Sequence, residues 1–155
     1  MKSKLENFKV FILALLFNFI GGYVSTLLSG DQKALYESLS KPWFAPPNIV
    51  FPIVWWTLYI ILALAVMFNY KNGGRNFFAY YFSMFLSFVW NVVFFGQQLY
   101  GLAFFLVLII MIFTIYLCVR YFKNSKIASL IMFIYLLWLS YAALLNYFIW
   151  MYNEM

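Results

Sequence analysis

Long apolar segments separated by short charged ones make up most of the chain. Four stretches, 10–28, 42–70, 76–119 and 127–153, contain no residue that is charged at neutral pH. One membrane-crossing helix needs about 20 apolar residues, so the first, second and fourth stretches each predict one span. The third stretch is about twice that length and must turn back, which the Gly and Gln residues of 96–101 indicate. Five helices follow, at roughly 9–28, 48–70, 77–96, 101–121 and 127–152.

The composition agrees with a chain that faces lipid. Hydrophobic residues make up 67% of the sequence and charged residues only 9%, whereas a soluble domain has about a quarter of its residues charged. The sequence therefore predicts one all-α, integral membrane domain over residues 1–155, a five-helix bundle with no soluble domain. The first apolar run is longer than a typical signal-peptide core, which favours an uncleaved first helix.

Lysine and arginine residues are distributed unequally between the two sides of this bundle. The N-terminal segment holds three, the second loop two and the fourth loop three, whereas the first loop holds only Lys33 and Lys41. The positive-inside rule then places the N-terminus in the cytoplasm and the C-terminus outside. The basic residues that give the net charge of +6 lie beside helix ends, where they can contact anionic lipid headgroups. No nucleic-acid partner is therefore expected.

The polar chemistry available inside the membrane is limited. The sequence has no His, and its acids, Glu6, Asp31, Glu37 and Glu154, all lie outside the predicted spans. Proton-driven transporters usually carry an intramembrane acid or His, metal sites need clustered ligands, and acid–base catalysis needs a base. These classes are therefore disfavoured, no metal site is expected, and the single Cys118 provides no disulfide framework.

Aromatic residues are abundant, with 20 Phe, 13 Tyr and 6 Trp. An interfacial belt accounts for many of them, but Trp90 and Trp138 lie roughly 16 Å or more into their predicted helices, at about 1.5 Å per residue. Phe51, Trp55 and Tyr59 recur at every fourth position and share one helix face. Packing between helices and a pocket for a flat aromatic ligand both fit these deep rings.

Polar and small residues within the spans are few. Asn18, Asn91 and Asn146 each need a hydrogen-bond partner inside the membrane, and a contact between helices is a commoner role for such residues than a contact with a ligand. The pair Gly21-Gly22 indicates close helix packing, either within the bundle or between subunits.

The first loop is long enough to act as a lid over the bundle. Asp31 is placed to cap a short helix over residues 32–39, and the Pro-rich segment 40–47 prevents further helix until Pro47, which can begin the second span. Lys33 and Lys41 are the only basic residues of this loop and are therefore the candidates on this side for contact with an anionic group of a ligand.

Four segments, in this order, resemble the TspO/MBR family of tryptophan-rich sensory proteins and translocator proteins. They are Tyr36-x-x-Leu39-x-Lys41-Pro42-x-x-x-Pro46-Pro47, Phe51-x-x-x-Trp55-x-x-Leu58-Tyr59, Trp90-Asn91-x-x-Phe94-Phe95-Gly96 and Tyr135-x-x-Trp138-x-x-x-Ala142-x-x-Leu145-Asn146. The resemblance implies a homodimeric bundle in a bacterial cell membrane. It also implies a pocket beneath the first loop that binds protoporphyrin IX, haem and other flat aromatic ligands, with no required cofactor. The family pocket positions match Tyr36, Pro46, Trp55, Tyr59, Asn91, Trp138 and Ala142.

The resemblance also implies an activity, since some bacterial members are described as degrading protoporphyrin under light. Trp55 and Trp138 match the tryptophans implicated there, and such photochemistry needs an oxidisable ring rather than a general base. Two departures stand out. Ile134 replaces the usual Pro before Tyr135, and no basic residue follows Tyr147, so the animal sterol motif is not supported.

Three functions stay open at the level of sequence. The first is tetrapyrrole binding, with or without light-dependent degradation; the second is passive transport of porphyrins; the third is a stress-signalling interaction that the ligand regulates. For the pocket, we expect Trp55 and Trp138 to face each other across a cavity bounded by the first, second, third and fifth spans, with Asn91 on its wall. Tyr36 and Pro46 are expected to reach it from the lid.

Overall fold

The structure is a computed structural model that describes residues 3–155, and within that range it is built of helices alone. The helices are α1 Lys4–Leu28, α2 Gln32–Ser38, α3 Val50–Lys71, α4 Phe77–Asn91, which continues as a π-helix over Val92–Gly96, α5 Tyr100–Phe122 and α6 Lys126–Asn153. All except α2 are long and apolar enough to cross a membrane, α4 doing so together with its π-helical turn. The prediction of a five-span bundle is therefore confirmed.

The first helix begins at Lys4, earlier than the predicted residue 9. Ser3 is its N-cap: the Ser3 hydroxyl accepts from the Glu6 backbone N–H at 3.1 Å, and the Glu6 carboxylate accepts from the Ser3 N–H at 3.2 Å. This reciprocal capping box satisfies two N–H groups that the helix itself cannot. Lys4, Glu6 and Lys9, which precede the apolar run, therefore lie on the same helix.

The second span begins later than Pro47 suggested. Val50 donates its backbone N–H to the carbonyl of Pro47 at 3.1 Å, and Phe51 donates to Asn48 at 3.3 Å. These are bonds between residues three apart, typical of a tight turn that precedes a helix. The regular α-helix starts only at Val50.

The turn between the third and fourth spans lies where the sequence placed it. The α4 helix widens into its π-helical turn, closed by a bond of 2.9 Å from the Gln97 N–H to the Val92 carbonyl. Gln98 then adopts a left-handed conformation with φ of 56°, after which α5 begins at Tyr100. A residue in the left-handed conformation ends one helix and lets the backbone reverse direction before the next helix begins.

Two asparagines hold the bundle together in the way proposed for them. Asn18 of α1 donates to the Tyr59 carbonyl of α3 at 2.9 Å and to the Tyr80 hydroxyl of α4 at 2.7 Å. Asn146 of α6 accepts from the Trp90 indole at 3.0 Å and donates to a carbonyl at the start of α5 at 2.9 Å. Lipid offers no partner for these amides, so they connect the helices.

The Gly21-Gly22 pair permits close packing inside the bundle. A Cβ added to Gly21 would lie 2.1 Å from the ring of Phe88, and one added to Gly22 would lie 2.4 Å from the hydroxyl of Tyr59. Both distances are far below van der Waals contact, so only glycine lets α1 approach these two rings. Of the two alternatives left open by the sequence, packing within the bundle applies.

Candidate functional site

The first loop, residues 29–49, carries α2 across one end of the bundle. The carboxylate of Asp31 accepts from the Ala34 N–H at 3.0 Å, which confirms the predicted cap. At the other end of α2 the Lys41 ammonium donates to the carbonyls of Glu37 and Leu39, at 3.3 and 2.9 Å, and to that of Tyr36. A cation at a helix C-terminus satisfies otherwise unpaired carbonyls. Lys41 therefore stabilises the loop itself.

Further hydrogen bonds fix the loop to the last span. The Asn153 side chain accepts from the Ser40 N–H at 3.0 Å and donates to the Ser40 carbonyl at 2.9 Å. The Tyr141 hydroxyl donates to the carbonyl of Phe44 at 2.9 Å. The loop is thus held at Ser40 and Phe44, both of which follow α2 in the chain, and these anchors help to keep α2 above the space between the spans.

Tyr36 links α2 to the Pro-rich segment. Its hydroxyl donates to the carbonyl of Pro46 at 2.8 Å, and its ring packs edge-on against Phe51 with centroids 5.1 Å apart. Burial raises the pKa of the Tyr36 phenol to about 12, and the nearby Tyr141 adds to that shift. The phenol is therefore neutral at physiological pH and remains a hydrogen-bond donor.

Beneath α2 lies a cavity of about 610 Å³ bounded by α1, α2, α3 and the end of α4. A volume of this size is within the range of small-molecule sites. Its walls are largely aromatic: Phe19, Tyr23, Phe51, Trp55, Trp56, Tyr59, Phe88, Trp90 and Phe95. Such walls offer extended flat surfaces for ring stacking.

Asn91 lies on the cavity wall, as expected, and also holds the lid. Its amide nitrogen donates to the hydroxyls of Ser25 and Ser29, at 3.1 and 3.4 Å. Its amide oxygen accepts from the Gln32 side chain of α2 at 3.2 Å. Both ends of the Asn91 amide are therefore engaged within the protein, and one of them joins α2 to the bundle.

Trp55 and Tyr59 present the polar atoms that remain available in the cavity. Their rings lie 5.8 Å apart with planes tilted by 41°, and both residues line the cavity. Within residues 3–155 neither the Trp55 indole N–H nor the Tyr59 hydroxyl has a hydrogen-bond partner in the protein. A ligand can therefore receive a hydrogen bond from either group without breaking one.

Trp138 does not line the large cavity, contrary to our expectation. Its ring packs edge-on against Phe51, which does line the cavity, with centroids 6.1 Å apart. Trp55 packs edge-on against a different residue of α6, Tyr135, with centroids 6.3 Å apart. The Trp138 indole N–H is buried and has no partner among residues 3–155. The large cavity is thus bounded by the first three spans, as expected, and by α2, whereas no α6 residue within residues 3–155 lines it. A ligand contact of Trp138 stays a prediction.

The seven predicted site residues separate into three groups. Tyr36, Trp55, Tyr59 and Asn91 line the large cavity. Ala142 lines a second void of only about 20 Å³, which shares Tyr36, Phe51, Trp90 and Phe95 with the large cavity. Pro46 and Trp138 line neither space. The carbonyl of Pro46 instead accepts the hydrogen bond of the Tyr36 hydroxyl.

The first span bounds the cavity as expected, but the residues that it contributes were not among the predicted site residues. Phe19, Tyr23 and Thr26 line the cavity from α1. Their spacing of four and three residues places them on one helix face, so the signal was present in the sequence. It was not distinctive, because apolar residues occur all round a membrane helix.

The basic residues of the first loop differ in availability. Lys33 lines the cavity at its outer edge, and no ion pair or hydrogen bond of its side chain occurs within residues 3–155. Lys41 is bound to the carbonyls of α2 and lies over the Tyr36 ring, 4.8 Å from its centroid. Of the two candidates for a ligand carboxylate, the structure leaves only Lys33 free.

Comparison with known proteins supports the family identified from the motifs. Residues 10–151 match the model of the TspO/MBR family. The chain is 30% identical over 140 residues to a tryptophan-rich protein TspO of Archaeoglobus fulgidus, covering 86% of this chain and 90% of the relative. It is 30% identical over 123 residues to a tryptophan-rich sensory protein of Cereibacter sphaeroides, covering 78% and 77% of the two chains. It is 29% identical over 137 residues to the human translocator protein, covering 84% and 81%. The chain is an integral membrane protein that belongs to the TspO/MBR family.

Proposed function

We propose that this protein binds a flat, carboxylate-bearing aromatic ligand of the tetrapyrrole class, such as protoporphyrin IX, in the cavity beneath α2. The observation that carries the proposal is a cavity of about 610 Å³ with aromatic walls and, at its edge, Lys33, whose ammonium has no partner within residues 3–155. Family membership supports the choice of ligand, since the resemblance set out above implies porphyrin binding.

The polarity of the cavity suits such a ligand in a single orientation. A porphyrin has an apolar macrocycle with carboxylates on one edge, and the aromatic walls are complementary to the macrocycle. Asn91 in the interior is already bonded to protein, so a ring that enters there breaks none of its hydrogen bonds and can pair the free Trp55 and Tyr59 donors. The carboxylates are then directed towards Lys33, and the Trp55 and Tyr59 donors point to the ring.

Titration with protoporphyrin IX tests this proposal directly. Quenching of tryptophan fluorescence and the Soret shift should both saturate at one ligand per chain. Trp55→Ala should weaken binding about tenfold, because losing one stacking ring costs roughly 1.4 kcal/mol, the equivalent of a factor of ten. Trp43→Ala is the matched control, since Trp43 is 95% exposed on the loop and should bind as the wild type does. Equal affinity in both variants would contradict the site.

A second pair of variants tests the proposed contact between Lys33 and the ligand carboxylates. Lys33→Gln should weaken porphyrin binding about fivefold, as expected for one exposed charge pair of about 1 kcal/mol. Lys71→Gln, at the far end of α3, removes the same charge on the opposite side and should have no effect. If both variants bind alike, the carboxylates do not contact Lys33, while the aromatic part of the proposal survives.

The shape of the cavity favours binding over passive transport. Its floor is formed where Gly22 packs under the Tyr59 hydroxyl, and about one turn deeper Asn18 joins α1 to the Tyr59 carbonyl and to α4. A ligand that enters from the α2 end therefore meets a closed surface. Vesicles loaded with porphyrin should release it no faster when they carry the protein, and a protein-dependent release would instead support the transporter.

A further inference from the structure

The cavity opens sideways towards the membrane. Its rim between α1 and α3 includes Tyr23, Ile49 and Trp56, which are 67%, 59% and 63% exposed. Thr26 and Lys33, both exposed, complete this rim, which we call the mouth. Large apolar side chains on the outer surface of a membrane bundle face lipid, so the mouth connects the cavity to the lipid phase.

The depth of the mouth matches one leaflet of the bilayer. At about 1.5 Å per residue, Trp56 lies roughly 9 Å along α3 from Val50, and Tyr23 lies roughly 8 Å from the end of α1. Lys33 lies on α2, beyond the end of α1. The mouth thus runs from the level of the headgroups into the hydrocarbon, whose core is about 30 Å thick in total.

The cavity interior is better suited to hydrocarbon than to water. Ser25 donates to the Gly22 carbonyl at 2.9 Å, Ser87 is bonded to the Tyr135 hydroxyl at 2.8 Å, and Asn91 is fully engaged. A stable buried water needs two to four polar partners, and these groups are already bonded to protein, which leaves the Trp55 and Tyr59 donors on otherwise largely apolar walls. An acyl chain that entered through the mouth would remain in contact with apolar surroundings.

The charge at the mouth points to an anionic headgroup. Asp31 caps α2, Glu37 accepts from a loop amide at 2.7 Å, Lys41 donates to the carbonyls of α2, and Glu154 accepts from the N–H of Gly101 at 3.0 Å. None of these four side chains lines the cavity. Among residues 3–155, Lys33 is the charged residue that lines it, at the mouth and at headgroup level, and its charge is positive.

We propose that the cavity takes up one acyl chain of an anionic phospholipid from the leaflet on the α2 side, with the lipid phosphate at Lys33. This inference extends the proposed function, because the lipid and the aromatic ligand would share the same cavity and the ligand would displace the lipid. Occupancy by the ligand then depends on the anionic lipid content of the membrane. The lipid also keeps the cavity filled when no ligand is present.

Native mass spectrometry of the protein in a neutral detergent tests the proposal without porphyrin. Phosphatidylglycerol and phosphatidylcholine with identical acyl chains are titrated in parallel. One phosphatidylglycerol per chain should bind about fivefold more tightly than phosphatidylcholine, the factor that corresponds to about 1 kcal/mol for one lysine near an anionic lipid. Lys33→Gln should remove this preference, whereas Lys71→Gln, on the opposite side, should retain it.

A variant that fills the mouth tests the position of the acyl chain. Thr26 is exposed at the mouth, so Thr26→Trp should preserve the helical circular dichroism and lose the tightly bound lipid of either kind. Millimolar inorganic phosphate should not displace the lipid, because the acyl chain holds it. Equal affinity for the two lipids, a preference that survives Lys33→Gln, displacement by free phosphate, or an unchanged lipid in Thr26→Trp would each overturn the inference.

A final arm separates this inference from the proposed function. Protoporphyrin IX added to the lipid-bound protein should release the lipid one for one. If porphyrin fails to bind while the lipid still depends on Lys33 and Thr26, the proposed function is wrong and the lipid site stands. If porphyrin binds but the lipid remains in place, the shared cavity is refuted.

Discussion

Replacing Asn18 by leucine should destabilise the bundle at the floor of the cavity. The Asn18 side chain has no solvent exposure, and it makes three hydrogen bonds. One goes to the Tyr59 carbonyl of α3, and the other two join both amide atoms to the Tyr80 hydroxyl of α4 at 2.7 and 3.0 Å. Leucine has the same number and branching of side-chain heavy atoms and can make none of these bonds, so Asn18→Leu removes the polar contacts without creating a cavity.

The expected cost is about 3 kcal/mol. Hydrogen bonds between membrane helices average about 0.6 kcal/mol each, so three contribute about 2 kcal/mol. The Tyr80 hydroxyl is then left buried without its partners, which adds roughly 1 kcal/mol or more. Because Tyr59 lines the cavity, the same variant should also weaken porphyrin binding.

Equilibrium unfolding in mixed micelles with an increasing fraction of sodium dodecyl sulfate measures this cost. Ser83→Ala is the control, since the Ser83 hydroxyl is equally buried in the membrane but has no hydrogen-bond partner among residues 3–155. Removing an unpaired hydroxyl should be neutral or slightly stabilising. Were both variants to unfold at the wild-type detergent fraction, the Asn18 contacts would not hold the helices together.

Four further predictions address topology, the lid, light and pH. Cysteines at Gln32 and Asn72 should be labelled by an impermeant thiol reagent from opposite sides, that at Gln32 from outside. Gln32→Ala should speed porphyrin dissociation about fivefold in stopped flow, because it removes one hydrogen bond of about 1 kcal/mol that closes the lid. Bleaching of bound protoporphyrin under light and air should slow more in Trp55→Phe than in Trp138→Phe, since of the two indoles only that of Trp55 lines the cavity. Burial raises the pKa of Tyr36 in the folded protein to about 12, compared with about 10 for an unperturbed tyrosine. The stabilisation that the neutral phenol provides is therefore fully present below about pH 10. That contribution should be lost as pH rises towards 12, and an alkaline unfolding titration should show less loss in Tyr36→Phe.

The architecture could be predicted from sequence because it depends on length and charge. A helix must be about 20 apolar residues long to cross the bilayer, and the charged residues occur between such segments. The cap at Asp31 and the turn near Gly96 were also predictable, since both rest on local backbone chemistry. The early start of α1 is local too, and the Ser3-x-x-Glu6 pattern could have predicted it.

The neighbours of each site residue could not be predicted in the same way. Helical spacing shows that Phe51, Trp55 and Tyr59 share a face, but it does not show which helix lies opposite or at what height. The surroundings of Trp138 depend on how α6 packs against α3, which brings the Trp138 ring against Phe51 and not into the large cavity. Likewise, the sequence does not distinguish Lys33 from Lys41 as a ligand contact. The folded loop shows that Lys41 donates hydrogen bonds at the end of α2 and stabilises that helix.

The distribution of hydrogen-bond partners explains how one cavity can serve both a lipid and an aromatic ligand. In the interior, Asn91 and Ser25 are bonded to protein, so the surface that an occupant meets there is effectively apolar. At the mouth, Lys33 has no partner within residues 3–155 and can attract an anion. An acyl chain with a phosphate and a macrocycle with carboxylates both have this order of an apolar body and an anionic end. The two occupants differ in how they meet the unpaired Trp55 and Tyr59 donors. A nitrogen-containing ring can accept a hydrogen bond from them, and a hydrocarbon chain cannot. Replacing Tyr59 by Phe should therefore weaken porphyrin binding and leave the bound lipid unchanged.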